Sequence, residues 1–202
     1  NHYKALGAAG VGEVSANIYA DDPFMDNLFY HCEKADMPVT LHFATKIGGS
    51  YGIVDDRGLP HFEKMLKKHN GLKFIGHSQV FWSEISDDLT EDQRGGYPTG
   101  KVREGRIAKL MREYGNLYCD LSARSGANAM MRDREYATRF LNEFADRIFY
   151  GTDLCRRGQR FPADFSAFLD GLVDDGLLSV EKYAKIVRNN AAKLLGIEEY
   201  KI

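Results

Sequence analysis

Short apolar runs alternate with amphipathic stretches along all 202 residues, and a polar residue lies in or just beyond the carboxyl end of each run. The runs are Val11–Val14, Pro38–Phe43, Lys73–Gly76, Asn116–Leu121 and Arg147–Tyr150. Between them, apolar side chains recur at i, i+3, i+4 and i+7, the spacing of one helix face. Phe62, Met65, Leu66 and His69 show it, as do Ile107, Leu110, Met111 and Tyr114. Ala137, Phe140, Leu141 and Phe144 repeat the pattern, and so do Phe165, Phe168, Leu169 and Leu172. Asp22-Pro23 and Leu59-Pro60 mark helix starts, Gly71 and Gly115 mark stops, and a last helix runs from Val180 to Leu195 before Gly196. This alternation predicts an α/β fold, a parallel sheet joined by helical crossovers.

The polar residues at the run ends are Glu13, His42, His77, Asp120 and Asp153, separated by 29, 35, 43 and 33 residues. Each interval is close to one β-α unit of about 30 residues or more. Five such units fit part of an eight-stranded barrel or a small doubly wound sheet. The least patterned stretch, Ser83 to Val102, reads as a long loop after a strand end. Loops of that length are lids, binding loops or solvated excursions.

Composition removes several function classes. A formal charge of -2 gives no reason to expect nucleic acid or an anionic membrane as a partner. No apolar run approaches the ~20 residues that span a bilayer. Cys32, Cys119 and Cys155 are scattered and odd in number. They read as reduced thiols, which points to the cytoplasm. The expected partner is a small-molecule substrate, and a homo-oligomer is left open.

Pro38-Val-Thr-Leu-His42 and Lys73-Phe-Ile-Gly-His77 are apolar strands that end in histidine. Ile148-Phe-Tyr-Gly-Thr-Asp153 ends in aspartate. In a parallel barrel the carboxyl ends of all strands open onto one face, which carries the active site. Two imidazoles and a carboxylate delivered there suit a divalent cation, zinc first, with manganese or iron as alternatives. Taken singly, each residue has a plainer reading, a polar cap for a histidine or a helix N-cap for Asp153. Three strands ending alike favour a site.

Gly10-Val-Gly-Glu13, Met37-Pro-Val-Thr-Leu-His42, Phe74-Ile-Gly-His77, Ile148-Phe-Tyr-Gly-Thr-Asp153 and Asn190-Ala-Ala-Lys-Leu-Leu-Gly196 together resemble the amidohydrolase superfamily. The resemblance is to its amidohydrolase-related (amidohydrolase 2) branch of (β/α)8 TIM barrels. It implies that His42 and Asp153 are metal ligands, and that His77 is a ligand or a general acid/base. It also implies that Asp153 takes a proton from the attacking water. Glu13 lies where the family places a metal-bridging carboxylate, with helix or loop capping as the plainer reading. Asp120 is expected behind the site. Arg124, Arg156 and Trp82 are candidate substrate contacts, with Arg157 beside them, while Cys155 is expected to pack rather than ligate. His2, His31, His61 and His69 are expected outside the chemistry.

The family also carries a His-x-His or Glu-x-His pair on its first strand, and this sequence contains neither. Residues 1–202 are therefore expected to form a single partial barrel domain, covering about strands four to eight and a C-terminal helix. The activity implied is metal-dependent hydrolysis of an amide, ester or lactone in a small, carboxylated substrate. The alternatives are a metal-dependent decarboxylase of small aromatic acids and a non-catalytic barrel remnant serving binding or assembly. A flavodoxin-like nucleotide domain is disfavoured, because no GxGxxG or GxxxxGK[ST] loop occurs.

Overall fold

The computed structural model describes residues 2–160 and 162–197. After a short helix α1 (His2–Ala5), strand and helix alternate: β1 (Val11–Val14), α2 (Pro23–Lys34), β2 (Val39–Ala44), β3 (Ile53–Val54), α3 (Pro60–Lys68) and β4 (Phe74–His77). Then follow α4 (Gln79–Ser83), α5 (Arg106–Glu113), β5 (Leu117–Asp120), α6 (Ala123–Met131), α7 (Arg134–Phe144), β6 (Ile148–Phe149) and α8 (Ala163–Asp174). The predicted last helix is present as α9 (Val180–Ala184) and α10 (Asn190–Leu195), joined by one π-helical turn at Lys185–Asn189.

The main sheet has the order β1-β2-β4-β5-β6, all parallel, with β3 paired to β2. The alternating pattern of the sequence is therefore realised as a partly wound barrel wall. Two-residue β3, Ile53–Val54, was not legible as a strand because it is too short to show any period. Helices α4 and α6 were not anticipated either. Gly71 and Gly115 do not cap their helices; His69 and Tyr114 do, and each glycine follows a residue or two later.

Alternation along each strand sorts side chains onto two faces. Val39, Leu41 and Phe43 of β2 lie fully buried under the helices, and Phe43 meets Phe62 at a ring separation of 5.2 Å. Phe74 joins them, 5.0 Å from Phe29 and 5.4 Å from Phe62. The opposite face carries Thr40, Tyr118 and Asp120, which are only half-buried. Gly76 belongs to the helix-covered face: a Cβ there would lie 2.1 Å from the ring of buried Phe81.

Buried charge fixes the connections. Asp22 caps α2 through Phe24 N at 2.9 Å, with Pro23 at the first helical position. α3 has no such cap of its own. The carboxylate of Asp55, just past β3, accepts from His61 N at 3.1 Å and Phe62 N at 2.7 Å instead. The Ser83–Val102 stretch is largely exposed but is anchored in the interior. Its Arg94 is 2 % exposed, faces Glu84 at 3.1 Å and Glu91 at 2.8 Å, and donates to the Asp55 carbonyl at 3.2 Å. Among the described residues no helix is long and apolar enough to cross a membrane.

Two tests follow from this packing. Gly76→Ala should destabilise the fold by about 1–3 kcal/mol through overpacking against Phe81. Gly171→Ala, inside α8 with nothing near its Cβ position, should stabilise by up to about 1 kcal/mol. Chemical denaturation of both variants checks the pair; equal effects would refute the packing described.

Asp55 gives a pH signature. Burial, outweighing three backbone N–H donors, pushes its carboxyl up to about 6. A folded value above the unfolded one means that the native state holds this proton more tightly. The contribution is complete below about pH 4 and is lost as pH rises through about 6, amounting to roughly 3 kcal/mol. Asp55→Asn should flatten that segment of the stability–pH curve, measured by denaturation at pH values from 4 to 7.

Candidate metal centre

Strand register brings the site together. β2 and β4 pair Val39 with Phe74, Thr40 with Ile75, Leu41 with Gly76 and His42 with His77. The two histidines thus occupy paired positions, with ring centroids 5.4 Å apart, and both are buried. β1 lies on the other side of β2, with Val14 opposite Leu41. That pairing places Glu13 beside the histidines. Its Oε1 makes a short contact with His42 Nδ1 and lies 3.4 Å from His77 Nε2.

Glu13, His42 and His77 each offer one ligand atom, all within 4.8 Å of one another. Two imidazole nitrogens and one carboxylate oxygen form a donor set suited to zinc and other divalent transition metals. With ligand bonds near 2.1 Å, two donors on one tetrahedral zinc would stand roughly 3.4 Å apart. The His77–Glu13 separation has that value, so the donors fit a cation after Glu13 leaves its contact with His42.

Behind the donors, His77 Nδ1 faces Asp120 Oδ2 at 2.9 Å and Ser122 Oγ at 3.2 Å. Ser122 in turn makes a short hydrogen bond to Asp120, whose Oδ1 also accepts from Ser122 N at 2.9 Å. An imidazole that donates Nδ1–H to a carboxylate presents Nε2 outward as the ligand atom, a common support for metal-binding histidines. The two imidazoles sit in opposed fields. Burial holds His42 below the usual imidazole range, despite its bond to Glu13. Burial also acts to lower His77, but Asp120, Glu13 and Asp153 together outweigh it and raise the group.

The site opens into a cavity of about 230 Å³ lined by His42, His77, Tyr51, Arg124, Asp153 and Arg160, among others. It continues into a cleft of about 860 Å³ that shares Tyr97, Arg124 and Arg160. Asp153 is exposed in this cavity, outside the compact donor group, and takes a left-handed φ of 53°. Ser78 (φ 100°) and Ala123 (φ 58°) adopt positive φ just past β4 and β5. Non-glycine residues in such conformations concentrate where a fold holds a functional face.

The remaining candidates divide. Arg124 lines both cavities. Arg156 is exposed and lines neither; its neighbour in the loop, Arg160, does so instead. Trp82 is corrected: it is 2 % exposed, and its indole N–H donates to the Asp120 carbonyl at 2.8 Å, so it braces β5 rather than facing a ligand. Cys155 is corrected as well, since it is exposed, with Gln159 Oε1 accepting from its backbone N–H at 3.1 Å. His61 and His69 bridge carboxylates on α2 and its approaches, away from the site. Tyr51, whose ring lies 4.3 Å from that of His42, was missed. The glycine-rich run Ile47–Gly52 directly after the His42 strand was its signal, because such loops build the active face of a barrel.

Comparisons with known proteins bear on the family and the fold. A family model described as amidohydrolase matches residues 6–197. No curated protein matches the chain. Among solved structures, an amidohydrolase from Burkholderia multivorans with bound zinc aligns at TM-score 0.54 and 13% identity, over 88% of this chain and 58% of its own. A second structure of it, with bound HEPES, gives 0.51 and 11%, over 88% and 59%. A dihydroxybenzoic acid decarboxylase from Polaromonas sp. JS666, with bound manganese and 2-nitroresorcinol, aligns at 0.49 and 15%, over 90% and 56%. The chain thus spans less than two thirds of the length of these structures.

Asp120→Asn removes the carboxylate that orients His77. Zinc affinity should fall by about 10–100-fold, as measured by competition with a chromophoric chelator, while the fold is retained. An unchanged affinity would place Asp120 outside the site.

Proposed function

The chain belongs to the amidohydrolase family, and from that premise we propose that it carries a divalent-metal centre for hydrolysing a C–N or C–O bond. The substrate class proposed is a small amide, ester or lactone bearing a carboxylate. One observation carries the reading: donor atoms of Glu13, His42 and His77 converge within 4.8 Å beside a cavity that Asp153 also lines. Zinc is the metal proposed first, on the donor set and on the zinc present in the Burkholderia relative.

Glu13, His42 and His77 would hold the cation, which when bound would supply Lewis-acid polarisation and lower the pKa of water at the site. The protein groups do the rest. The carboxylate of Asp153 faces the cavity and accepts the proton released by the attacking water. Asp120 and Ser122 hold the His77 ring by Nδ1 and so keep Nε2 turned toward Glu13 as a ligand atom. Arg124 and Arg160 line both the cavity and the adjoining cleft, where guanidinium forks suit a carboxylate. Tyr51 covers His42 on the loop side and restricts water at the donor group.

The test combines metal and activity. Elemental analysis of the chain, loaded with zinc or manganese and desalted, should give close to one ion per chain, lost in the Glu13→Gln, His42→Ala double variant. Loaded chain should then hydrolyse members of a panel of carboxylated lactones, esters and anilides. Asp153→Asn should keep the metal and lower kcat by about 100-fold or more. No metal above background in the wild-type chain would sink the reading. Carbon dioxide release without hydrolysis would replace it by a decarboxylase, and metal without turnover by a binding role.

A further inference from the structure

The segments that follow Glu13 and His42 are fastened to each other, and one side chain carries much of the join. Asn17, half-buried just past β1, directs all its hydrogen-bonding groups at the turn 46–52. Its Nδ2 donates to the carbonyls of Lys46 at 3.2 Å, Ser50 at 3.0 Å and Gly52 at 3.2 Å. Its Oδ1 accepts from Gly48 N at 2.6 Å. That uses both faces of the amide, its donor nitrogen and its acceptor oxygen. Backbone bonds extend the join, from Gly52 N to the Ser15 carbonyl at 3.0 Å and from Val54 N to the Ile18 carbonyl at 2.8 Å.

The turn ends directly on the strand that carries His42. Gly52 has a φ of 130°, and a Cβ there would lie 2.8 Å from Phe43 C and 3.0 Å from the His42 carbonyl oxygen. One residue earlier, the Tyr51 ring stands 4.3 Å from the His42 ring and lines the cavity at the donor group. Tyr51 is itself exposed, so packing on its outer side does not hold the ring in place. Its position depends on the backbone of the turn, and the shape of the turn depends on Asn17.

We propose that Asn17 is a positioning residue for the metal centre: it locks the turn that presents Tyr51, and the locked ring slows exchange of the bound ion. This rests on the metal reading above and adds a kinetic control to it. Asn17 acts through Tyr51 and contributes no ligand atom. A cover of this kind raises the barrier to entry and to exit alike, so its loss changes rates far more than affinity. Asp120 differs in this respect, because it supports a ligand and its loss weakens binding.

The experiment is stopped-flow release of zinc from the loaded chain to a chromophoric chelator, in an excess at which the rate no longer depends on chelator. Asn17→Ala and Tyr51→Ala should each speed release and uptake on the order of tenfold, as expected when one or two net hydrogen bonds or their equivalent are lost, with affinity nearly unchanged. The double variant should be no faster than Tyr51→Ala alone, since the two residues act in series on one ring. Tyr51→Phe should keep the wild-type rate, because the ring and not the hydroxyl forms the cover. Wild-type release from a folded Asn17→Ala variant, or effects that multiply in the double variant, would overturn the proposal. Should Asn17→Ala fail to fold, hydrogen exchange at the Gly48 amide of the wild-type chain decides: protection supports the lock, and exchange at the rate of an open loop refutes it. A chain that takes up no zinc refutes the metal reading and this proposal with it, whereas zinc bound and released at unaltered rates refutes this proposal alone.

Discussion

The pairing of His42 with His77 across two adjacent parallel strands is the constraint on which the site rests. Side chains alternate along a strand, so a slip of one residue would send one imidazole to the opposite face. That face is occupied by Phe43, Phe62, Phe74 and Phe81, and a histidine there would lose its acceptors. The aromatic packing beneath the sheet and the donor group above it are therefore one specification read from two sides. Gly76 shows the link directly, because its missing side chain makes room for Phe81 one residue before His77.

From that register the rest of the site is built outward, one strand at a time. β1 contributes Glu13 on one side, and β5 contributes Asp120 on the other, so His77 lies between two carboxylates. Ser122 and the indole of Trp82 hold Asp120 in turn. Within the described residues the sheet has β1 and β6 at its two ends, and its inner face is half-exposed at Thr40, Tyr118 and Asp120. This is a barrel wall rather than a closed barrel, in keeping with a chain that spans less than two thirds of the structures it resembles.

Loops complete the site, and polar side chains hold them. Asn17, just past β1, donates to the carbonyls of Lys46, Ser50 and Gly52 and accepts from Gly48 N at 2.6 Å. One side chain so shapes the turn that carries Tyr51 over His42. The longer loop depends on Arg94, which joins Glu84, Glu91 and the Asp55 carbonyl in the interior. Buried ion pairs of this kind contribute little net stability but fix one arrangement strongly, since losing a partner strands a charge. The Arg132 guanidinium of the same region has no hydrogen-bond partner among the described residues.

Periodicity in the sequence by itself determined the α/β class, the order of the main strands and the residues at their ends. Those follow from local rules: helical spacing, strand alternation and the position of proline. It also singled out His42 and His77, because a histidine closing an apolar strand is visible without any partner. It did not decide that Glu13 would reach both of them, that Asp120 would orient His77, or that Asp153 would stand apart from the donor group. Trp82 looked like a ligand contact in sequence and became a brace for β5. Each of those outcomes depends on the distance between residues some 30 or more positions apart, and only strand register and loop closure set such distances.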